Sequence, residues 1–308
     1  MTSTATRVVA VTVAHRSDWL RLQDQLRALL AQVGGVIVVE NGASEALAGQ
    51  LAQLARHDLG PDPGLVHVPL GRNAGLAVAQ NAGIAMARQQ GATHVLLMDD
   101  DSVPQAGMVS ALLAVLQTHS DAGAAGPWYA DPRQPKAASP FVRIDGLRLR
   151  RLPCLPGGLP MQVDHLIASG CLIPVQVLDD VGPMREDFFI DFIDVEWSLR
   201  ARHAGYALYG VCDARLEHRL GRTPQQWLGR SFLSHPPWRL YYQVRNAWLI
   251  YRQPWVPLNW KLVSLWRLCL KVGFRVLVGP HRVLQARRAM QGWADALSKR
   301  RRFAPRPE

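Results

Sequence analysis

The chain has 308 residues, 48% hydrophobic and 19% charged, the proportions of a folded protein large enough for one big domain or two modest ones. Its net charge of +11 is lopsided: residues 1–229 hold 19 Lys/Arg against 22 Asp/Glu, and residues 230–308 hold 16 against 2. The N-terminus MTSTATRVVAVTVAH lacks the h-region and cleavage site of a signal peptide, and no stretch reads as a span of ~20 apolar residues.

Cys154, Cys171, Cys212 and Cys269 are far apart with no C-x-x-C pair. They read as small core residues in a reducing compartment, not as a disulfide frame or zinc site. The expectation is a cytoplasmic protein that does not span a membrane.

VVAVTVA (8–14) is β-branched and predicts a strand, and leucines at helical spacing predict a helix over 19–33, ended by Gly34-Gly35. VIVVE (36–40), a short helix over 44–56, LVHVP (65–69), a helix from Ala74 to Gln90 and THVLLMD (93–99) follow. Four strand–helix alternations predict an α/β fold with a Rossmann-like, largely parallel sheet. Such sheets bind ligands at the carboxyl ends of their strands. His15-Arg16, Glu40-Asn41, Arg72-Asn73 and Asp99–Asp101 all lie just past strand ends and should converge on one crevice. No Gly-x-Gly-x-x-Gly or Walker loop is present, which argues against a dinucleotide fold or P-loop enzyme.

Residues 131–162 are rich in Pro, Gly and Arg and read as a long loop or short strands, mobile near the site. A helix is expected from Asp191 to Ala204, and His218 falls in a polar turn after a strand-like segment. The last third is basic and holds seven of the ten tryptophans.

Two acidic groups carry the chemistry. In HVLLMDDDSVP, alternation along an extended chain puts Asp99 and Asp101 on one side and Asp100 on the other. Two carboxylates at a strand end suit a hard cation, Mg²⁺ or Mn²⁺. The competing reading is that Asp101 or Ser102 caps the next helix. In FFIDFIDVEWSLRARHAGY, Asp191 and Asp194 have helix-capping spacing, but their aromatic surroundings would also raise a carboxylate's proton affinity and make a better general base.

VVAVTVAHR, VIVVENGAS, GRNAGLAVAQNAGI, HVLLMDDDSVP, IASGCLI, GPMREDFFIDFIDVEWSLRARHAGY, LEHRLG and PWRLYYQVRN form an ordered set along most of the chain. That set resembles family 2 glycosyltransferases of the GT-A fold, and among them bacterial rhamnosyltransferases of O-antigen and other surface polysaccharides. The resemblance implies a divalent metal on Asp99 and Asp101, completed by His218. It implies Asp194 as catalytic base, with Asp191 as the competing assignment. The nucleotide sugar, dTDP-rhamnose foremost, would be held around Ala14, His15, Arg16, Glu40, Arg72, Asn73 and Asp100. Ser169 and Gly170 either underlie the sugar or acceptor or form a tight turn. Relatives usually have Tyr-Asn at Ala14-His15 and Asp at Glu40, so the base recognised is where this chain departs.

The implied organisation is a GT-A catalytic domain over 1–229, its nucleotide-sugar half about 1–130 and its acceptor half about 131–229, followed by a helical basic extension over 230–308. Trp255, Trp260 and Trp266 alternate with Arg267, Lys271, Arg275 and Arg282, which suits either an anionic membrane surface or packing onto the catalytic domain or a second copy. Expected partners are a nucleotide sugar, a lipid-linked saccharide acceptor and the cytoplasmic face of the inner membrane, with no nucleic acid. Rival readings are another donor, such as a galactofuranose or glucose nucleotide, or a basic nucleic-acid- or membrane-binding protein with an inactive enzyme domain. The RRR at 300–302 reads as a frayed tail.

Overall fold

The structure, a computed structural model, describes residues 5–44, 46–58, 64–131, 141–155, 157–218, 225–227, 230–232, 236–298 and 304. Its first half is built from β1 (Val8–Ala14), α1 (Trp19–Leu30), β2 (Val36–Glu40), α2 (Leu47–Asp58), β3 (Leu65–Pro69), α3 (Leu76–Gln89) and β4 (His94–Asp99). β1 and β2 are buried at every position because helices cover both faces of a parallel sheet, and this is why they read as unbroken apolar runs. Asp18 caps α1 by accepting from Leu20 N at 3.1 Å. The helix buries Leu22, Leu26 and Leu29 completely, each contributing about 1.5–3 kcal/mol by leaving water.

β5 (Ser102–Pro104), α4 (Met108–Thr118), β6 (Ala122–Ala130), β7 (Val142–Asp145), β8 (Arg148–Arg151), β9 (Met161–Gln162), β10 (Cys171–Pro174), α5 (Val175–Val181), α6 (Ile193–His203) and β11 (Ala207–His218) follow. The main sheet runs β3-β2-β1-β4-β10-β6-β11-β5, with β9 alongside β11. The expected α/β sheet is present: its first four strands and the β6–β11 pair are parallel, and antiparallel members make its second half mixed. β3, β2, β1 and β4 are parallel, but β10 is antiparallel to both β4 and β6. The chain re-enters at the carboxyl edge of the sheet, where Gly170 N donates to Leu97 O at 2.8 Å, so β10 must run back down.

β7 and β8 form a hairpin, so the loop expected over 131–162 contains short strands, while 132–140 lies outside the described residues. Cys154 and Cys212 form a disulfide that ties the chain after β8 to β11. This corrects the reading of all four cysteines as unpaired core residues and removes that support for a reducing compartment. Two positions distant in sequence meet only because β11 brings Cys212 there. Cys171 is free and buried, and Cys269 free and exposed.

α7 (Pro237–Tyr251), α8 (Leu258–Leu277) and α9 (Arg282–Ser298) complete the chain. α9 crosses α7 closely: a Cβ on Gly292 would stand 2.3 Å from Tyr241 O. Trp260 is buried and Trp255 stacks on His203, whereas Trp266 is 65% exposed. Packing therefore claims the first two aromatics and leaves the third outward. Among the described residues no helix is long and apolar enough to cross a membrane. Residues 300–302 lie outside the described residues.

Candidate active site

Asp99 ends β4 and Asp101 sits in the turn before β5. His218, the last residue of β11, is paired with Ser102 in the antiparallel β5–β11 ladder. That register carries the imidazole to the two carboxylates. His218 Nε2 lies 3.1 Å from Asp101 Oδ1 and 3.8 Å from Asp99 Oδ2. One ligand atom from each of the three residues falls within 4.8 Å of the others, a site for one divalent cation. The donor set fits Mg²⁺ or Mn²⁺: two carboxylate oxygens with a neutral imidazole nitrogen. Loss of surrounding water, with Asp101, Asp100 and Asp194 nearby, pushes Asp99 up to about 6, partly offset by His218. Burial works against a charge on His218, but its bond to Asp101 and the charge of Asp99 outweigh this and raise its pKa. A cation would relieve the crowding of these acids.

Asp100 stands with Asp101 in the turn between β4 and β5 and lines the same cleft as Asp99 and Asp101. Its Oδ2 accepts from His15 N at 3.0 Å and from the Ser17 hydroxyl, so it ties the end of β1 to the metal loop. Gln25, fully buried on α1, does the same from beneath. Its Nε2 donates to the carbonyls of Asp99 and Ser102 while its Oε1 accepts from Thr12 Oγ1 at 3.0 Å. Ser102 Oγ accepts from Ser169 Oγ at 2.7 Å, and neither Asp101 nor Ser102 caps α4, whose N-cap is Gly107.

A cavity of about 420 Å³ opens beside this loop, lined by Ala14, His15, Arg16, Glu40, Asn73 and residues at the start of α2. Glu40 is buried and braced: Oε2 lies 2.9 Å from His67 Nε2, and Oε1 accepts from Ser44 N at 2.5 Å. Asn41 Oδ1 accepts from Ala74 N at 2.8 Å, shaping the chain that presents Asn73. Arg72 is exposed and does not line this cavity. Ser169 is fully buried behind the wall, where its Oγ accepts from Asp99 N at 3.2 Å. Gly170 has φ +83°, and a Cβ there would stand 2.4 Å from Pro127, so this pair builds a tight turn while Ile167 and Ala168 face the cleft.

His15 and Asn73 also line a second cleft of about 480 Å³, shared by Asp99, Asp101, His218, Asp191, Asp194, Trp238 and Arg239. The two spaces therefore meet. α6 begins at Ile193, two residues later than the sequence suggests, and its N-cap Phe192 makes no side-chain capping bond. Asp191 is not a cap; it stands at φ +65° between Ile190 and Phe192, and Phe189 and Phe192 also have positive φ. Such a run of left-handed non-glycine residues needs external support. α7 supplies it. Asn246 Nδ2 lies 2.9 Å from each of the carbonyls of Phe188, Ile190 and Asp191, and Arg239 grips the Asp191 carboxylate. Asp194 accepts from Val195 N at 2.8 Å and has no ion-pair partner among the described residues. Desolvation foremost raises its pKa to about 6.

Residues 9–169, just over half of the chain, match the family model described as glycosyl transferase family 2. A relative described as dTDP-rhamnosyl transferase RfbF of Shigella flexneri is 31% identical over 253 residues, 82% of each chain. The chain belongs to glycosyl transferase family 2. Solved structures agree with this family's fold. TarS residues 1–349 of S. aureus, in complex with UDP-GlcNAc, matches at a TM-score of 0.59 and 14% identity, over 97% of this chain and 82% of that one. GalNAc-T7, solved with UDP, GalNAc and Mn²⁺, matches at 0.59 and 13%, over 89% of this chain and 58% of that one. The family 2 chain thus spans little more than half of that structure's length.

As a glycosyltransferase it carries parts that its sequence did not announce. Gln25, His67 and Ser17 have no motif of their own. Gln25 does break the apolar face of α1, and that was the available signal. Glu196, Trp197 and Arg200, by contrast, hold α6 in place: Arg200 Nε donates to Glu196 Oε1 at 2.9 Å and Trp197 Nε1 to Gly182 O at 3.1 Å.

Proposed function

We propose that this glycosyltransferase moves L-rhamnose from dTDP-rhamnose onto a hydroxyl of a lipid-linked saccharide, with inversion, in bacterial surface-polysaccharide synthesis. One observation carries the mechanism: a single cleft is lined both by Asp99, Asp101 and His218 and by Asp194. The donor assignment is supported by the name of the 31%-identical relative.

On this reading Glu40, braced by His67, holds the nucleoside in the 420 Å³ cavity, with Ala14, His15, Arg16 and Asn73 around it. A divalent cation held by Asp99, Asp101 and His218 supplies positive charge for the departing diphosphate. Asp194 takes the proton from the acceptor hydroxyl while that oxygen bonds to the anomeric carbon, and the carbon–diphosphate bond breaks with its electron pair leaving on phosphate. Asp191 serves as the anchor for Arg239 rather than as the base, because its charge is already satisfied. Residues 1–229 form the catalytic unit, and α7 from the 230–308 extension props its strained loop.

The extension also meets an anionic membrane. Leu258, Leu262, Trp266 and Leu270 recur every four residues along α8, all exposed, in a region of 16 cations and 2 acids. That pairing of an unpartnered apolar stripe with excess positive charge matches a lipid surface.

The test is release of nucleoside diphosphate from a donor panel, dTDP-rhamnose first, with Mg²⁺ or Mn²⁺ and with chelator, using membrane lipid extract as acceptor. Metal-dependent turnover of dTDP-rhamnose, reduced about 100-fold or more in Asp101→Asn, is the expected result. Turnover of another sugar nucleotide alone would replace the donor. No turnover of any donor would end the transferase assignment for this chain.

A further inference from the structure

A third cavity, of about 610 Å³, lies behind the catalytic loop and is built by different elements. Phe192 and Val195, neighbours of Asp194, line its inner side, where Phe192 is shared with the Asp194 cleft, and the β7–β8 hairpin contributes Val142, Ile144 and Leu149 as apolar lining. α8 lines it as well. Two arcs of that helix divide the work. The exposed stripe Leu258–Leu262–Trp266–Leu270 looks outward, and Arg267 and Lys271, one turn apart, line the cavity with Trp260 and Val263. Leu270 belongs to both the stripe and the cavity rim.

The charge in this cavity is unbalanced. Arg267 and Lys271 have no ion-pair partner among the described residues, and each keeps an exposed edge on the cavity rim. Asp164, the carboxylate in the lining, is taken by Arg202 at 2.8 Å. Desolvation foremost, with Arg275, Arg239 and Arg267 nearby, pulls the Lys271 ammonium down to about 8; Asp191 opposes this but is already gripped by Arg239. Gln243 is buried in the same lining with Oε1 unpartnered, as is His165 Nδ1. Two cations without an ion-pair partner, between apolar walls, ask for an anion with an apolar attachment, and the orphan Gln243 Oε1, an acceptor, asks for a donor such as a sugar hydroxyl.

Resting on the transferase reading above, we propose that this cavity is the acceptor site, and that Arg267 and Lys271 bind the phosphate or diphosphate of an amphiphilic acceptor whose apolar chain leaves along the α8 stripe. The inner side then delivers the acceptor's sugar hydroxyl past Phe192 to Asp194. Because Leu270 joins cavity and stripe, a chain anchored in a lipid surface reaches the site without crossing water.

The experiment is equilibrium binding to the full chain in chelator, so that the aspartate site holds no cation, with three probes: farnesyl diphosphate, farnesol and inorganic diphosphate. Farnesyl diphosphate should bind at least tenfold more tightly than either fragment. Lys271→Met and Arg267→Met should each weaken it at least tenfold, Lys271→Arg should restore most of it, and dTDP affinity measured with Mn²⁺ should be unchanged as evidence of an intact fold. Equal binding by wild type and Lys271→Met overturns the assignment. Inorganic diphosphate binding as tightly as farnesyl diphosphate reduces the site to a phosphate site and overturns the amphiphile. Failure of every donor to turn over would leave these binding contrasts standing, so the two readings fail separately.

Discussion

Arg239 holds Asp191 through two hydrogen bonds, Nε to Oδ2 at 2.8 Å and Nη2 to Oδ1 at 2.9 Å. Asp194, three residues on in the same cleft, has no such cation among the described residues. Two carboxylates that look alike in sequence are thereby separated: one is a charged anchor, the other a group whose proton affinity is set by lack of water.

That separation predicts a pH profile. Asp194 rises from an ordinary 3.8 to about 6, mainly by desolvation. A base works only when deprotonated, so kcat/KM should be level above pH 6 and fall about tenfold per unit below it. An ordinary aspartate would hold its activity down to about pH 4. Asp99 also rises to about 6, so rates are measured from pH 4.5 to 8 at saturating Mn²⁺, which holds Asp99 deprotonated, and there they decide between them. Asp194→Asn should abolish transfer while dTDP still binds.

Asn246 braces three carbonyls in a segment where Phe189, Asp191 and Phe192 all have positive φ. Asn246→Ala leaves buried acceptors without donors and should cost about 2–4 kcal/mol in urea unfolding. Transfer should fall with it. Asn246→Asp, nearly the same shape, should be as damaging, because a carboxylate would then face those carbonyls. An unchanged urea midpoint in both variants would show that the loop holds its own conformation.

Gln25 joins Thr12 to the carbonyls of Asp99 and Ser102 without touching the cleft. Gln25→Leu keeps the volume and removes the donor. Mn²⁺ affinity, followed by titration calorimetry, should weaken about tenfold as the Asp99–Ser102 turn loosens. No change in affinity would mean that β4 and β5 alone set the turn.

The outward stripe on α8 predicts sedimentation with anionic phospholipid vesicles but not with neutral ones, and weaker binding as salt rises. Leu262→Glu with Trp266→Glu should abolish it and leave donor turnover with a water-soluble acceptor intact. Equal sedimentation of the double variant would assign the stripe to something other than lipid.

Much of this protein was determined locally by its sequence. Apolar runs and helical spacing placed β1 through β4 within a few residues, and position just past strand ends collected His15, Glu40, Asn73 and the aspartates at one edge. Alternation along an extended chain did not carry through the aspartates, because Asp100 and Asp101 form a turn; Asp100 lines the same cleft while bonding to His15 and Ser17. The periods of strand and helix are properties of the backbone, and so they survive without knowledge of the fold.

Only the tertiary structure decided the contacts between distant segments. The Ser102–His218 register brings the imidazole to the metal site across 116 residues of chain. Cys154 meets Cys212 because β11 passes beside the chain after β8, and β10 turns the sheet mixed because it enters from the opposite end. Asp191 and Asp194 exchange a shared capping pattern for separate roles once α7 arrives with Arg239 and Asn246. The physical reason is common to all four: charge, register and burial are set by neighbours in space, and those neighbours lie tens to hundreds of residues away along the chain.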